Sequence, residues 1–252
     1  MPTILILSAR GGSGASLLAC NLGVVLSQEA SCILVDLHGG EAVDDLLLDV
    51  EANPRWSELA GAPDPAGERL SSRAWATHPS GLRLIPGGVD PTIGAEQIAG
   101  WVQALSAQAE WLLVDAPSAR NIDGLLHCAD LVLLVAMLDP PTLRAAQRWL
   151  APLPQSARRK IALIVNQVTG EKPLQAQGAA HALQLPLWAT LPADAAPIGR
   201  QIHLGEAAVQ VRASQYGRAV RQLARRLQSS RTQQLRIGER PQARPVAEGS
   251  LR

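Results

Sequence analysis

Phenylalanine is absent from this sequence, and of its 23 basic residues only Lys160 and Lys172 are lysines. Both features are biases of composition and carry no functional reading. Long apolar runs are missing as well. Nothing approaches the roughly 20 consecutive apolar residues that span a bilayer, which excludes an apolar transmembrane helix. The first residues enter an apolar segment at once, TILIL at 3–7, without the basic stretch and cleavage site of a signal peptide. The expected compartment is therefore the cytoplasm. Cysteine is scarce. Cys20, Cys32 and Cys128 each sit in an apolar segment without metal-site spacing, and are expected to be small core residues. Charged residues make up only 18% against 47% hydrophobic. A chain of 252 residues with that balance should fold mostly around a core, as one sizeable α/β domain or two small ones.

The net charge of +1 conceals an asymmetry. Residues 200–252 hold 11 Arg and 3 Glu, a net of +8, so the remainder carries −7. A basic end of this kind can meet acidic protein, a membrane surface or nucleic acid.

Short apolar runs recur along the chain at 3–8, 32–36, 82–87, 111–117, 131–137, 160–166 and 186–192. They lack polar alternation, as strands do when helices cover both faces of a parallel sheet. Helix-like stretches separate them at 16–29, 94–109, 121–128, 141–150, 173–182 and 214–228. The alternation predicts an α/β fold with a doubly wound, mostly parallel sheet flanked by helices. Residues 61–80 read as loop with room for one short helix. The domain is expected to occupy 1–228, with a polar, disordered tail over 229–252.

Such sheets bind ligands beyond the carboxyl ends of their strands. The first of those ends is SARGGSGASL, residues 8–17. It follows a strand and opens a helix, as a phosphate-binding P-loop does. Gly11, Gly12 and Gly14 can supply a nest of backbone N–H groups, and Ser16 a hydroxyl for Mg²⁺. The lysine of such a loop is Ala15. Asp115 ends the strand WLLVDAP, where a carboxylate holds the water shell of Mg²⁺. Asp36 ends CILVD and is the candidate to orient water or metal during catalysis.

Taken in order, these motifs resemble the MinD/ParA family of deviant Walker ATPases from residue 3 to about 227. The family loop K-G-G-x-G-K-[ST] is matched by Arg10-Gly11-Gly12-Ser13-Gly14-Ala15-Ser16. The D-x-D at the second strand end is matched by Asp36-Leu37-His38, and the D-x-P of the Walker B strand by Asp115-Ala116-Pro117. The resemblance implies adenine contacts at Asn166, at the end of LIVN, and at Pro192 and Asp194 in LPAD. The loop ARGGSGAS, the stretch from ILVDLHGG after the second strand and HPSGLRLIPGG at 78–88 are most similar to the CpaE/TadZ localisation proteins of Tad-type pilus systems, with the BcsQ group of cellulose synthesis the runner-up.

The resemblance implies ATP and Mg²⁺ as ligands, a homodimer, and protein partners in a membrane-associated machine. It also implies a peripheral position at the inner membrane or cell pole, with a membrane surface as one further contact and nucleic acid not among the expected partners. Three family positions are altered: the P-loop lysine is Ala15, the signature lysine is Arg10, and the second D-x-D aspartate is His38. Phosphoryl transfer needs positioned positive charge and an oriented water. A nucleotide-binding protein with little or no hydrolysis is therefore expected, with an active positioning ATPase as the alternative. The helix at 217–230 carries Val220, Leu223, Ala224 and Leu227 on one face and arginines on the rest. It is read as the last packed helix of the domain rather than a membrane anchor.

Overall fold

A computed structural model describes residues 2–51, 75–89, 93–117, 123–168 and 173–238. Most of the loop-rich stretch 61–80 and the last residues of the expected tail lie outside them. Eight strands of the described residues form a single sheet: β1 Thr3–Ser8, β2 Cys32–Asp36, β3 Ala76–Thr77, β4 Arg83–Ile85, β5 Trp111–Ala116, β6 Leu131–Met137, β7 Ile161–Val168 and β8 Leu187–Pro192. Their order is β3-β4-β2-β5-β1-β6-β7-β8. Every pairing is parallel except β3 with β4. The expected doubly wound sheet is present, and each of the seven expected strands appears. The two-residue β3 escaped the reading because it carries no apolar run.

Among the described residues the helices are α1 Ala15–Leu26, α2 Asp44–Leu47, α3 Ala95–Ser106, α4 Asp123–Cys128, α5 Pro140–Leu150, α6 Gln155–Arg158, α7 Pro173–Leu183, α8 Ala195–Leu204 and α9 Gln215–Gly238, with a 3₁₀ turn at Ala208–Gln210. Two buried clusters lie on opposite faces of the sheet, because successive strand residues point to opposite sides. Leu5, Leu7, Ile33, Val35, Leu112 and Val114 meet Trp101, Leu105 and Leu150 from α3 and α5. Ile4, Ile6, Leu34 and Leu113 meet Leu18, Leu22, Val220 and Leu223 from α1 and α9. Among the cysteines, Cys20 and Cys32 are buried and Cys128 partly so, and all three are free.

Val220, Leu223, Ala224 and Leu227 are all buried, so the apolar face of α9 is already covered by the second cluster. That face is not available to a membrane. No helix among the described residues is long and apolar enough to cross one. The helix runs on to Gly238, past the expected domain end at 228. The sequence SRTQQLRI holds neither glycine nor proline, and its glutamines and arginines favour helix.

A buried polar network fixes the elements around β2. Asn21 of α1 donates through its amide to Gln201 Oε1 of α8 at 2.6 Å and accepts from the Val209 N–H at 2.9 Å. Gln201 in turn accepts from the Ala208 N–H at 3.0 Å and donates to the Leu47 carbonyl at 3.3 Å. The network links α1, α8, the 3₁₀ turn and α2. It thereby sets the position of α2, which contributes a carboxylate to the site.

Candidate functional site

The site lies beyond the carboxyl ends of β1, β2 and β5. After β1, Ala9 N–H still bonds to the Val135 carbonyl at 2.8 Å, so the chain leaves the sheet only at Arg10. There the Ser13 N–H and hydroxyl both donate to the Arg10 carbonyl, at 3.1 and 2.6 Å, closing a tight turn. Gly12 and Gly14 have φ of 81° and 88°, in the left-handed region that L side chains avoid. Gly14 is the N-cap of α1 and offers no side chain to cap it. The first N–H groups of α1 therefore have no partner within the helix, and they carry its positive end.

Asn166, at the carboxyl end of β7, reaches across to hold this loop. Its amide donates to the Ser13 carbonyl at 2.8 Å and lies where a Cβ on Gly14 would fall. Its Oδ1 is buried without a hydrogen-bond partner. A cavity of about 430 Å³ opens in front of the loop, with Gly11, Gly12, Gly14, Ala15, Ser16, His38 and Asn166 among its walls.

The structure brings together most of the residues that the sequence points to, but not all. Arg10 is exposed and is not a wall of the cavity, and Ser13 is buried beneath the turn. Pro192 and Asp194 also lie outside those walls. Asp194 instead holds the start of α9: its Oδ2 accepts from Ser214 Oγ at 2.8 Å and from the Tyr216 N–H at 3.1 Å. Burial acts to raise the Asp194 pKa, but these hydrogen bonds outweigh it and keep the carboxyl below its ordinary value.

Below the loop is a cluster of acids. Asp36 and Asp115 are register partners on the adjacent strands β2 and β5, and both are fully buried. His38 sits over them. Its Nδ1 is 2.8 Å from Asp36 Oδ1 and 3.5 Å from Asp115 Oδ2. The His38 N–H also donates to Asp36 Oδ1, and its carbonyl accepts from the N–H groups of Gly88 and Val89. Gly87 leaves room for that turn, since a Cβ there would stand 2.8 Å from the His38 carbonyl and 2.9 Å from Asp36 Oδ2.

A third carboxylate, Asp44, is buried at the first residue of α2. Neither oxygen of Asp44 or of Asp115 has a hydrogen-bond partner. Burial pushes Asp115 up to about 7, the Asp36 charge adding to the rise while His38 and Ser16 oppose it. Asp44 is raised by burial, then by the charges of Asp115 and Asp36. For His38 burial acts downward, but the Asp36 hydrogen bond and the charges of Asp115 and Asp36 prevail, and its pKa rises. Sequence reasoning missed Asp44. In EAVDDLLLD it reads as a helix-start acid in solvent, and only the packing of α2 against α8 and α1 buries it.

Compared with protein-family models and with proteins of curated function, the sequence matches none. Its structure does find counterparts. A ParA family ATPase from Chlorobium tepidum TLS superposes with a TM-score of 0.77 at 20% identity, covering 88% of this chain and 98% of that one. The chain has the MinD/ParA fold. The septum site-determining protein MinD from Pyrococcus horikoshii OT3, complexed with Mg-ADP, gives 0.74 at 20% identity over 91% and 97%. A Cyanothece McdA variant in complex with ATP gives 0.68 at 19% over 97% and 99%.

At these identities the likeness is one of fold, and the chemistry must come from the site. The residues present fit a nucleotide phosphate with magnesium in three respects. The left-handed glycines and the start of α1 form an anion cradle, Ser16 stands on its rim, and the buried Asp115 carboxylate lies below, faced by the His38 imidazole at 3.5 Å. They depart from it in one: Ala15 brings no charge to the cavity.

Proposed function

We propose that this chain is a MinD/ParA-like positioning or assembly factor that holds ATP and Mg²⁺ at residues 10–16 and hydrolyses the nucleotide little or not at all. In this reading the N–H groups of Gly11, Gly12, Gly14 and the start of α1 bind phosphate, while Ser16 and Asp115 hold the magnesium and its water. Arg10 contributes from outside the cavity, in cis or from a second copy of the chain. Asn166 borders the cavity and offers its free Oδ1 to the rest of the nucleotide. The magnesium supplies charge neutralisation at the phosphates when bound.

The observation that carries the low-turnover reading is His38. It occupies the place of the second D-x-D carboxylate, and its Nδ1 is engaged by Asp36. Asp36 is therefore turned toward an imidazole rather than toward a water. The absence of a lysine at Ala15 removes the charge that phosphoryl transfer uses, a loss of about 10²–10³ in rate by analogy with other electrostatic groups.

A factor that works through protein contacts needs exposed apolar surface, and this chain has some beside the cavity. Val43 and Leu46 at α2 and Ile202 and Leu204 at α8 are 37%, 68%, 57% and 59% exposed. Large exposed apolar groups that cluster mark association sites more often than isolated ones do. We assign this face to a homodimer or to the machine served, and the pilus systems of the CpaE/TadZ type are the reading that the sequence favours.

Thermal unfolding of the wild type and Ala15→Lys, with and without Mg-ATP, tests the nucleotide site. A ligand at about 100 times its dissociation constant adds about 2.7 kcal/mol. That is a rise of roughly 5–10 °C for a domain of this size. We expect the wild type to shift and the lysine variant to shift further. A shift in neither contradicts the proposal.

A further inference from the structure

We propose that Asp36, His38 and Asp115 form a binding site for a divalent first-row transition-metal ion that fills without any nucleotide. His38 Nδ1 and one carboxylate oxygen each from Asp36 and Asp115 all lie within 4.8 Å of one another. The two separations from Nδ1, 2.8 and 3.5 Å, bracket the spacing of ligand atoms around such an ion. With metal–ligand bonds of about 2.0–2.2 Å, neighbouring donors of a tetrahedral site stand roughly 3.3–3.5 Å apart.

The charge balance points the same way. Asp36, Asp44 and Asp115 are three fully buried carboxylates. Asp36 and Asp115 share the single imidazole of His38, and neither oxygen of Asp44 has a hydrogen-bond partner. Buried carboxylates are ordinarily paired or bound to metal, because desolvation of an unbalanced charge is costly. The P-loop position from which a lysine would reach toward phosphate is Ala15, and Arg10 stands outside the cavity. A dication placed between Asp36 and Asp115 supplies the missing positive charge, with Asp44 as a further acidic neighbour.

The identity of the ion follows from the donor set. Mg²⁺ prefers oxygen ligands and keeps several waters. An imidazole nitrogen beside two carboxylates suits Zn²⁺, Mn²⁺ or Fe²⁺ instead. The donors are also held firmly. Asp36 and Asp115 project from paired strands, and the His38 backbone is pinned by Asp36 on one side and by the Gly88 and Val89 N–H groups on the other. His38 is 20% exposed and is a wall of the cavity, so an ion has a route in and a position left open to water or a bound anion. The inference stands whether or not ATP binds above it.

The test is isothermal titration of chelator-treated protein with Zn²⁺ in the absence of nucleotide, with Mg²⁺ as the comparison ion. We expect one Zn²⁺ per chain and no comparable heat from Mg²⁺. His38→Ala should weaken Zn²⁺ by at least about 100-fold, the upper end of what loss of an outer-shell partner costs a metal site. His203→Gln, at an exposed histidine that is not a wall of the cavity, should leave it unchanged. His38→Asp keeps a ligand but removes the nitrogen, and should shift the preference from Zn²⁺ toward Mg²⁺. Circular dichroism confirms that each variant is folded. Absence of stoichiometric Zn²⁺ in the wild type, or wild-type Zn²⁺ affinity in the folded His38→Ala protein, overturns the proposal. Because no nucleotide is present, either outcome is separable from the fate of the ATP reading.

Discussion

The P-loop glycines form a graded series whose costs follow from their surroundings. A methyl group added at Gly11 meets nothing within 4 Å, and Gly11 is not in the left-handed region. Gly11→Ala should change stability by less than about 0.5 kcal/mol, as surface substitutions do. At Gly12 the space is also open, but φ is 81°, so Gly12→Ala carries the left-handed penalty of about 1–2 kcal/mol. At Gly14 φ is 88°, and the new methyl would also fall on the Asn166 amide. Displacing that amide breaks its 2.8 Å bond to the Ser13 carbonyl and strands a buried donor, worth about 1–3 kcal/mol. Gly14→Ala is therefore expected to lose about 2–5 kcal/mol in total, the sum of strain and stranded amide. Urea unfolding of the three variants measures this directly, and the melting temperature of Gly14→Ala should fall by roughly 4–20 °C at 2–4 °C per kcal/mol. In the Asn166→Ala background the clash is gone, so the cost of Gly14→Ala should drop to that of Gly12→Ala. Equal costs at all three positions, or an undiminished Gly14 cost in that background, would refute the account of how the loop is held.

Three further outcomes follow from the packing. Asp194→Ala should cost about 1–2 kcal/mol, because it uncaps α9 at Ser214 and Tyr216, and should leave nucleotide affinity unchanged; urea unfolding and a binding titration check both halves. Asp115→Asn should raise the melting temperature of the metal-free protein at pH 8 by several degrees. Its folded pKa of about 7 lies above the ordinary carboxylate value, so the ionised form costs stability as pH rises from about 4 to 7, at about 1.36 kcal/mol per unit. His78 is buried, and its Nδ1 accepts from the Ser80 N–H at 3.1 Å, so burial holds its pKa below the ordinary value. The neutral form is favoured in the fold. Stability from this group is present above about pH 6.5 and is lost as pH falls below it. The wild type should therefore lose stability relative to His78→Gln between pH 6.5 and 5, read as the difference between two melting curves.

The strands were legible because a parallel sheet covered on both faces needs uninterrupted apolar runs, and CILVD, WLLVDA and LVLLVAM stand out against polar loops. The P-loop, Asp36 and Asp115 were legible because they end such runs. Less was visible where tertiary contacts decide. The helix Ala195–Leu204 contains Pro197 and Gly199, which argue against helix locally, and it is held by the Gln201 network. Asp44 is acidic, near the surface in sequence, and buried only because α2 packs between neighbours.

The resemblance implies an adenine contact at Asp194; that its carboxylate caps α9, through a partner 20 residues away, no local pattern shows. Asn166 is read from the resemblance as a nucleotide contact, while its bond to Ser13 across 153 residues has no signature in the sequence. His38 was legible as a departure from a motif. What it does there, facing two carboxylates at once, depends on the register of β2 against β5.

The most direct test of the central claim measures binding and turnover in one sample: wild-type protein with Mg-ATP, bound nucleotide by equilibrium dialysis and released phosphate over the same hours. The account predicts ATP retained on the protein with phosphate release at the background of a protein-free control. No retained nucleotide would contradict the binding site, and steady phosphate release abolished by Asp36→Ala would show that His38 and Ala15 leave the chemistry intact.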